Sequence, residues 1–268
     1  AWESAIIRSA HAVNQGIFPQ VDNRNKDFFF LRRLQGNRAA ETIVDLCQNR
    51  LPKNMGIPSD QIQVLSPTRK HITGTGQLNA MLQAALNPPS KEKRERKYGS
   101  IVFREGDRVI QVKNNYDILW REEDRVRGGM GIFNGDIGVI TSIRPDAGML
   151  TVNFEGRLVE YTWEMLAELE LAFAMTVHKA QGSEYRAVIL AASSGAPMLL
   201  TRGVLYTAIT RAKELFIIVG DEHVIATMVD NDRQDQRYSG LRARLAEGQQ
   251  GNPVRSTPME ELCQEEDH

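Results

Sequence analysis

The chain has 268 residues, with 33 Lys and Arg against 34 Asp and Glu, 41% hydrophobic and 25% charged. This is the make-up of a globular protein able to bury a core in one large domain or two modest ones, and it excludes a disordered, collagenous or fibrous chain. A net charge of −1 argues against a polybasic binder of nucleic acid, although a local basic surface fits inside a neutral total. No apolar run approaches the roughly 18 residues needed to span a bilayer, so no membrane partner is expected. Cys47 and Cys263 lie far apart without a C-x-x-C or a His-rich set, which supports neither a disulfide framework nor a structural zinc site. A reducing, cytoplasmic location is the default.

The chain starts at Ala1, and AWESAIIRSAHAVNQG lacks the basic start and apolar middle of a signal peptide. Ile6, Ile7, Ala10 and Val13 fall at helical spacing up to Gly16, so a helix already under way is expected, and with it a chain cut from a longer protein. DFFFLRR (27–33) predicts a short strand, and a helix through Ala39, Ile43, Val44, Leu46 and Leu51 is expected to end at Pro52. QIQVLSP (61–67) predicts a strand, and GTGQLNAMLQAAL (74–86) a glycine-opened helix closed by Asn87, Pro88 and Pro89. This alternation favours an α/β layer with parallel strands.

SKEKRERK (90–97) is a charge run, expected to be a solvated linker. From about Ser100 to Tyr161 the texture changes to short strands, in GDRVIQVKN, GDIGVITSI, GMLTVNF and RLVEYTW, with turns at FNGD and RPDAG. Such strands suggest an inserted small β-barrel. Strand RAVILAA (186–192), helix TRGVLYTAITRAK (201–213) and strand LFIIVG (215–220) then resume the first layer. The expected division is 1–97 and 167–247 for the α/β layer, 98–166 for the barrel, and 248–268 for an acidic, disordered tail.

Three segments carry polar chemistry. In TVHKAQGSE (176–184), Thr176, His178, Lys179, Gln181, Ser183 and Glu184 crowd around Gly182, a set of donors suited to phosphates, though a helix-capping loop would look similar. In YTAITRAK (206–213), Arg211 and Lys213 close a helix of apolar and small residues, where cations also suit the macrodipole. In SPTRKHITGTGQLN (66–79) a strand ends in Ser, Thr, Arg and Lys, and a glycine pair leads into a helix whose first N–H groups suit an anion. An ordinary strand-to-helix turn is the alternative.

In this order, with a barrel before TVHKAQGSE, the segments resemble the C-terminal half of RecD-like DNA helicases (exodeoxyribonuclease V α-subunit-like), superfamily 1 enzymes that move 5′ to 3′ on single strands. VLSPTRK…GTGQLN resembles the motif of their second RecA-like domain, FNGDIGVI and VNFEGRLVEYTW their Src-homology-type barrel, TVHKAQGSEY their motif V, and LYTAITRAK their motif VI. The resemblance implies a RecA-like parallel sheet flanked by helices, with an inserted small β-barrel. It implies that Arg211 is the arginine finger on the γ-phosphate of ATP, its planar fork suited to phosphate oxygens. Gln181, Gly182 and Glu184 would face the nucleotide, while Thr176, His178 and Lys179 would lie nearer the DNA, joined by Thr68, Arg69, Lys70, Thr75 and Asn79 on the single strand's phosphates. The barrel adds Lys113, Asn114, Asn115 and Tyr116, with Trp120, Arg121, Arg125 and Arg127, as a further single-strand face; a packed barrel with a solvated basic loop is equally consistent.

One departure matters. No G-x-x-x-x-G-K-[ST] occurs, and the GTG at 74–76 lacks the following Lys-Ser/Thr. ATP and Mg²⁺ are therefore expected to be held mainly by a missing N-terminal RecA-like domain, so the chain alone is not expected to hydrolyse ATP. Recombination nuclease subunits are further expected partners of the parent. Two other readings remain: a non-catalytic module binding single-stranded nucleic acid, and a relaxase or nuclease accessory chain that kept a helicase-like domain.

Overall fold

The structure is a computed structural model that describes residues 4–124, 127–193, 195 and 197–233; the expected disordered tail (248–268) lies outside them. Its helices are α1 (Ala5–Asn14), α2 (Gly36–Asp45), α3 (Leu51–Met55), α4 (Thr75–Leu86), α5 (Arg202–Thr210) and α6 (Glu222–Asp230). Strands β1 (Phe28–Arg32) and β2 (Ile62–Ser66) precede an inserted region with β3 (Glu95–Tyr98), β4 (Ile101–Arg104), β5 (Arg108–Gln111), β6 (Asn115–Glu122), β7 (Gly128–Ile132), β8 (Ile137–Arg144), β9 (Met149–Phe154), β10 (Arg157–Thr162) and β11 (Leu169–Leu171). Strands β12 (Ala174–Thr176), β13 (Tyr185–Ala192) and β14 (Ala212–Gly220) follow. All of these belong to the unit Ala1–Asn231.

Strands β13 and β14 are nearly continuous apolar runs, the pattern of strands buried on both faces. They form the centre of a five-stranded parallel sheet of order β1-β14-β13-β2-β12. Because strand side chains alternate, Phe216 and Ile218 pack with α1, α5 and α6 through Val13, Leu205 and Ile225. Ile217 and Val219 face the other way, into the core shared with Ile43 of α2 and Leu78 and Leu82 of α4. The α/β class expected from the sequence is the class observed.

The helix expected to stop at Pro52 does not stop there. After α2 the chain makes one π turn (Leu46–Arg50) and continues as α3, ending at Met55 before Gly56, which has φ 64°. Pro52 lies in the first turn of α3, where a residue without an N–H is tolerated.

The inserted region forms a seven-stranded sheet of order β11-β5-β8-β9-β10-β6-β7, antiparallel at every pairing, beside the β3–β4 hairpin. Its interior, with Phe103, Ile140, Leu150, Phe154 and Tyr161, is continuous with the core under α2 and α4. Strands β3, β4, β6, β7, β11 and β12 were not among those expected from the sequence. The charge run is no solvated linker, because its second half is β3, held by an ion pair from Glu95 to Arg104 at 2.6 Å. Arg96 lies over the Trp163 ring at 4.4 Å. Glu95 and Arg96, on opposite faces of the strand, are thus both engaged, while Lys97 is exposed.

Asp107 ties α4 to the insertion. Fully buried, it accepts hydrogen bonds from Gln83 Nε2, Asn87 Nδ2 and the Arg104 N–H, each at 2.7 Å. Burial pushes its carboxyl pKa up, against the pull of these donors. Gln83 also donates to Val102 O and Asn87 to Glu105 O, so neither amide can flip without losing a bond. Asp107→Asn, which sets an amide N–H₂ against donors, is expected to lower stability by about 1–3 kcal/mol with an unchanged m-value in urea unfolding.

Candidate nucleic-acid and nucleotide interface

Strand β12 ends with Thr176 in register with Ser66 of β2, at the carboxyl end of the sheet. The next strand, β13, is parallel to β2 and starts with Tyr185 paired to Ala212 at the amino end. Residues 177–184 must therefore cross the sheet from one end to the other, and they are the polar segment singled out in the sequence. Val177 and Ala180 anchor the crossing in the α1–α5 core, within a 3₁₀ turn (Val177–Ala180), leaving His178 exposed. Gly182 turns the chain at φ +83°, where an L side chain would be strained.

At the amino end the structure gathers the residues assigned to nucleotide. Arg211, which caps α5, donates from Nη1 to Ser183 O at 3.0 Å and from Nη2 to Thr210 Oγ1 at 3.3 Å, while its own carbonyl accepts from the Tyr185 N–H at 2.8 Å. Its Nε is buried without a partner. Glu184 lies 3.6 Å from Lys213, and Gln181 and Gly182 are exposed on the same turn. Beside this turn opens a polar cleft of about 500 Å³, lined by Asp60, Asp136, Glu155 and Glu184 as well as Arg108 and Arg157. Four carboxylates against two guanidiniums make no cradle for a polyphosphate. Among the described residues, no group of three His, Cys, Asp or Glu is placed to hold a metal ion.

At the carboxyl end the residues assigned to DNA separate into two sets. Arg69, Lys70, His178 and Lys179 present charged or titratable groups, with Thr75 and Thr176 half-buried beside them. Thr68 is buried, and its Oγ1 is engaged with the backbone of Lys70. Asn79 is buried too: Nδ2 donates to Leu171 O and Ala174 O, and Oδ1 accepts from the Ala174 N–H at 2.8 Å, leaving no donor for a phosphate. The first N–H groups of α4 are not open either, since Thr75 N–H donates to Thr68 O and Gly76 N–H to Arg69 O. Only glycine fits at position 74 there, because a Cβ would sit 2.1 Å from Lys70 O.

The barrel residues divide similarly. Glu168 draws in Gln111 at 2.8 Å, Asn115 at 3.0 Å and Lys113 at 3.3 Å, so Lys113 and Asn115 brace the sheet. Tyr116 is exposed and packs edge-on against Phe133, with Asn114 beside it. Trp120 lies against Gly129 and Arg121 pairs with Glu160 at 3.5 Å; Arg127 is exposed, and Arg125 lies outside the described residues.

Residues 78–154 match the family of ATP-dependent RecD-like DNA helicase SH3 domains, and residues 171–219 match UvrD-like helicase C-terminal domains. The chain is 32% identical to the ATP-dependent RecD2 DNA helicase of Deinococcus radiodurans over 220 residues, 82% of this chain and 27% of that protein. It thus carries a RecD-like helicase C-terminal region with its SH3-like domain. The RecBCD enzyme subunit RecD of Mycolicibacterium smegmatis is 31% identical over 186 residues, 69% of this chain and 29% of that protein. The chain spans less than a third of the length of either relative. The Bacteroides Pif1 helicase structure with ADP-AlF3 and single-stranded DNA is 17% identical over 93% of this chain and 55% of that chain, with a TM-score of 0.49.

Sequence reasoning overlooked three groups in this RecD-like region. Arg108, half-buried where the SH3-like domain meets β2, donates to Ile62 O at 2.9 Å, Gln63 Oε1 at 3.3 Å and Ser59 O at 3.2 Å. Glu168 organises the bracing just described, and Glu170 pairs with both Lys179 and Arg69. The alternation in LEL (169–171) hints at a strand with one polar residue facing outward, but nothing local names its partners.

Burial opposes the charge of Glu168, but hydrogen bonds from Asn115, Gln111 and Lys113 outweigh it and hold the carboxyl below its ordinary value. A carboxyl depressed in the native state stabilises fully above its unfolded value of 4.5, and that contribution is lost as pH falls through the native value. Glu168→Gln is expected to lower the urea midpoint near neutral pH and to flatten the decline of the midpoint below about pH 4.5, measured across an acid pH series.

Proposed function

We propose that this chain is the second motor domain, with its barrel, of an ATP-dependent helicase that moves 5′ to 3′ on single-stranded DNA and unwinds duplex. In this reading the motor layer takes residues 1–97 and resumes at 167, with the barrel at 98–166 between them; β3 and β11, at the two boundaries, pair with strands of the insertion. The observation that carries the reading is the crossing at 177–184: one short segment has Lys179 on its way across the sheet and ends on the Ser183 carbonyl that Arg211 holds at 3.0 Å. On that reading a push on Arg211 passes from Ser183 back over four residues to Lys179, one of the cations proposed to grip the strand.

In this reading Arg69, Lys70, His178 and Lys179, with Thr75 and Thr176, face the DNA backbone. Gln181, Gly182 and Glu184 flank the nucleotide, and Arg211 is the finger that leaves Ser183 O for the transferring phosphoryl group. ATP is the substrate of the intact enzyme. Its triphosphate and Mg²⁺ belong to a first RecA-like domain elsewhere in the parent, since this sequence has no P-loop and carboxylates outnumber cations in its cleft. The shares of 27% and 29% of the two relatives leave ample room for such a domain. The parent works in the cytoplasm in DNA repair and recombination, with recombination nuclease subunits as further partners; among the described residues no helix is long and apolar enough to cross a membrane.

The test is ATP turnover. The 268-residue chain is expected to show none with or without single-stranded DNA, whereas the P-loop-containing parent turns over ATP and loses about 10³–10⁵ in rate on Arg211→Ala. DNA-stimulated hydrolysis by the chain alone would overturn the division of labour, and an Arg211→Ala parent of full activity would remove the finger.

A further inference from the structure

Lys179 and Arg69 come from different loops, the crossing after β12 and the turn between β2 and α4, yet they converge on one carboxylate. Glu170 Oε2 accepts from Lys179 Nζ at 2.8 Å, and Oε1 lies 3.7 Å from Arg69 Nη1. Among the described residues neither cation has another acidic partner within 4.0 Å. The Lys179 side chain is only 16% exposed, so its ammonium is poorly hydrated and needs an anion, while Glu170 at 39% and Arg69 at 60% remain open to solvent. Glu170 stands on β11, four positions before β12 begins, at the junction of the barrel with the parallel sheet.

We propose that Glu170 is a placeholder for a backbone phosphate of the single strand: it keeps Lys179 and Arg69 converged on one point and yields that point when the strand enters. The inference rests on the reading that these two cations face DNA. A carboxylate and a phosphodiester offer the same kind of anionic oxygens to an ammonium and a guanidinium, so one can replace the other without rebuilding the site. The exchange is easy because a half-exposed ion pair holds weakly. It also sets affinity, since the strand must displace an internal anion and therefore gains less from each cation than from a free one. A weak, exchangeable grip suits a protein that has to release and re-take successive phosphates.

Fluorescence anisotropy of a dye-labelled oligothymidylate, titrated with the 268-residue chain over a KCl series, tests this. Lys179→Ala is expected to weaken binding and flatten its salt dependence. Glu170→Gln is expected to tighten binding roughly two- to fivefold at low salt and to steepen the slope of log K against log salt by up to about 0.7, the increment for one further positive charge left uncompensated against the strand. Most of that gain is expected to vanish when Glu170→Gln is combined with Lys179→Ala. If Lys179→Ala weakens binding while Glu170→Gln leaves it unchanged or weakens it, the placeholder is overturned and the DNA reading stands. If the unsubstituted chain does not bind, or Lys179→Ala has no effect, the DNA reading fails and the placeholder with it. Should Glu170→Gln lower thermal stability, the salt slope of Glu170→Ala decides, because a slope does not depend on the fraction of active protein.

Discussion

Parallel pairing is the constraint from which the rest of the site follows. Two parallel neighbours in one sheet cannot be joined by a tight turn, so each connection must carry the chain back from the carboxyl end to the amino end. Most connections here do so with a helix. Between β12 and β13 the chain has only residues 177–184, and it crosses with a single 3₁₀ turn and a glycine at positive φ. This places Thr176 and Glu184 at opposite ends of the sheet while keeping them eight residues apart. A segment this short, fixed by the buried Val177 and Ala180, has little slack, which makes it a good mechanical link between its ends.

The insertion is fastened to this layer by buried polar groups as well as by a shared core. Asp107 collects donors from α4 and from the chain entering the sheet, and Arg108, the next residue, reaches carbonyls of Ser59 and Ile62 at the start of β2. Desolvation disfavours the charged form at both residues, raising the carboxyl pKa and lowering that of the guanidinium. Hydrogen bonds on several sides offset that penalty, and they fix direction in a way that apolar contact does not. Adjacent residues of opposite charge thus orient the barrel against α4 and β2 separately.

Much of the architecture was legible in sequence because it rests on local patterns. The apolar runs at 186–192 and 215–220 announce strands buried on both faces, and the glycine-spaced short strands announce a β insertion. The polar cluster around Gly182 stood out because so many different donors crowd into so few residues. What could not be read was which polar groups are already engaged. Asn79 and Thr68 sit in a motif that looks ready for phosphate, yet both are held by backbone groups, Asn79 by carbonyls 92 and 95 residues away. Likewise, a glycine pair at the start of α4 looked like an anion site, whereas the preceding loop already supplies the carbonyls. Such engagement is a property of the fold, and sequence spacing carries no trace of it.

The near-zero net charge takes on meaning once the pairs are placed. Lys179 and Arg69 share Glu170, Lys213 faces Glu184, Lys113 faces Glu168, Arg157 faces Asp136, and Arg121 and Arg144 share Glu160. A surface built this way projects little long-range field, because each cation is largely cancelled within a few ångströms and what remains is screened within about 8–10 Å at ordinary salt. At these pairs a polyanion gains little attraction from a distance and is held by taking over an internal carboxylate's place. On the proposed function that is an advantage. A uniformly basic track would hold every phosphate alike and resist movement, whereas cations that alternate between an internal and an external anion let the strand go as readily as they take it.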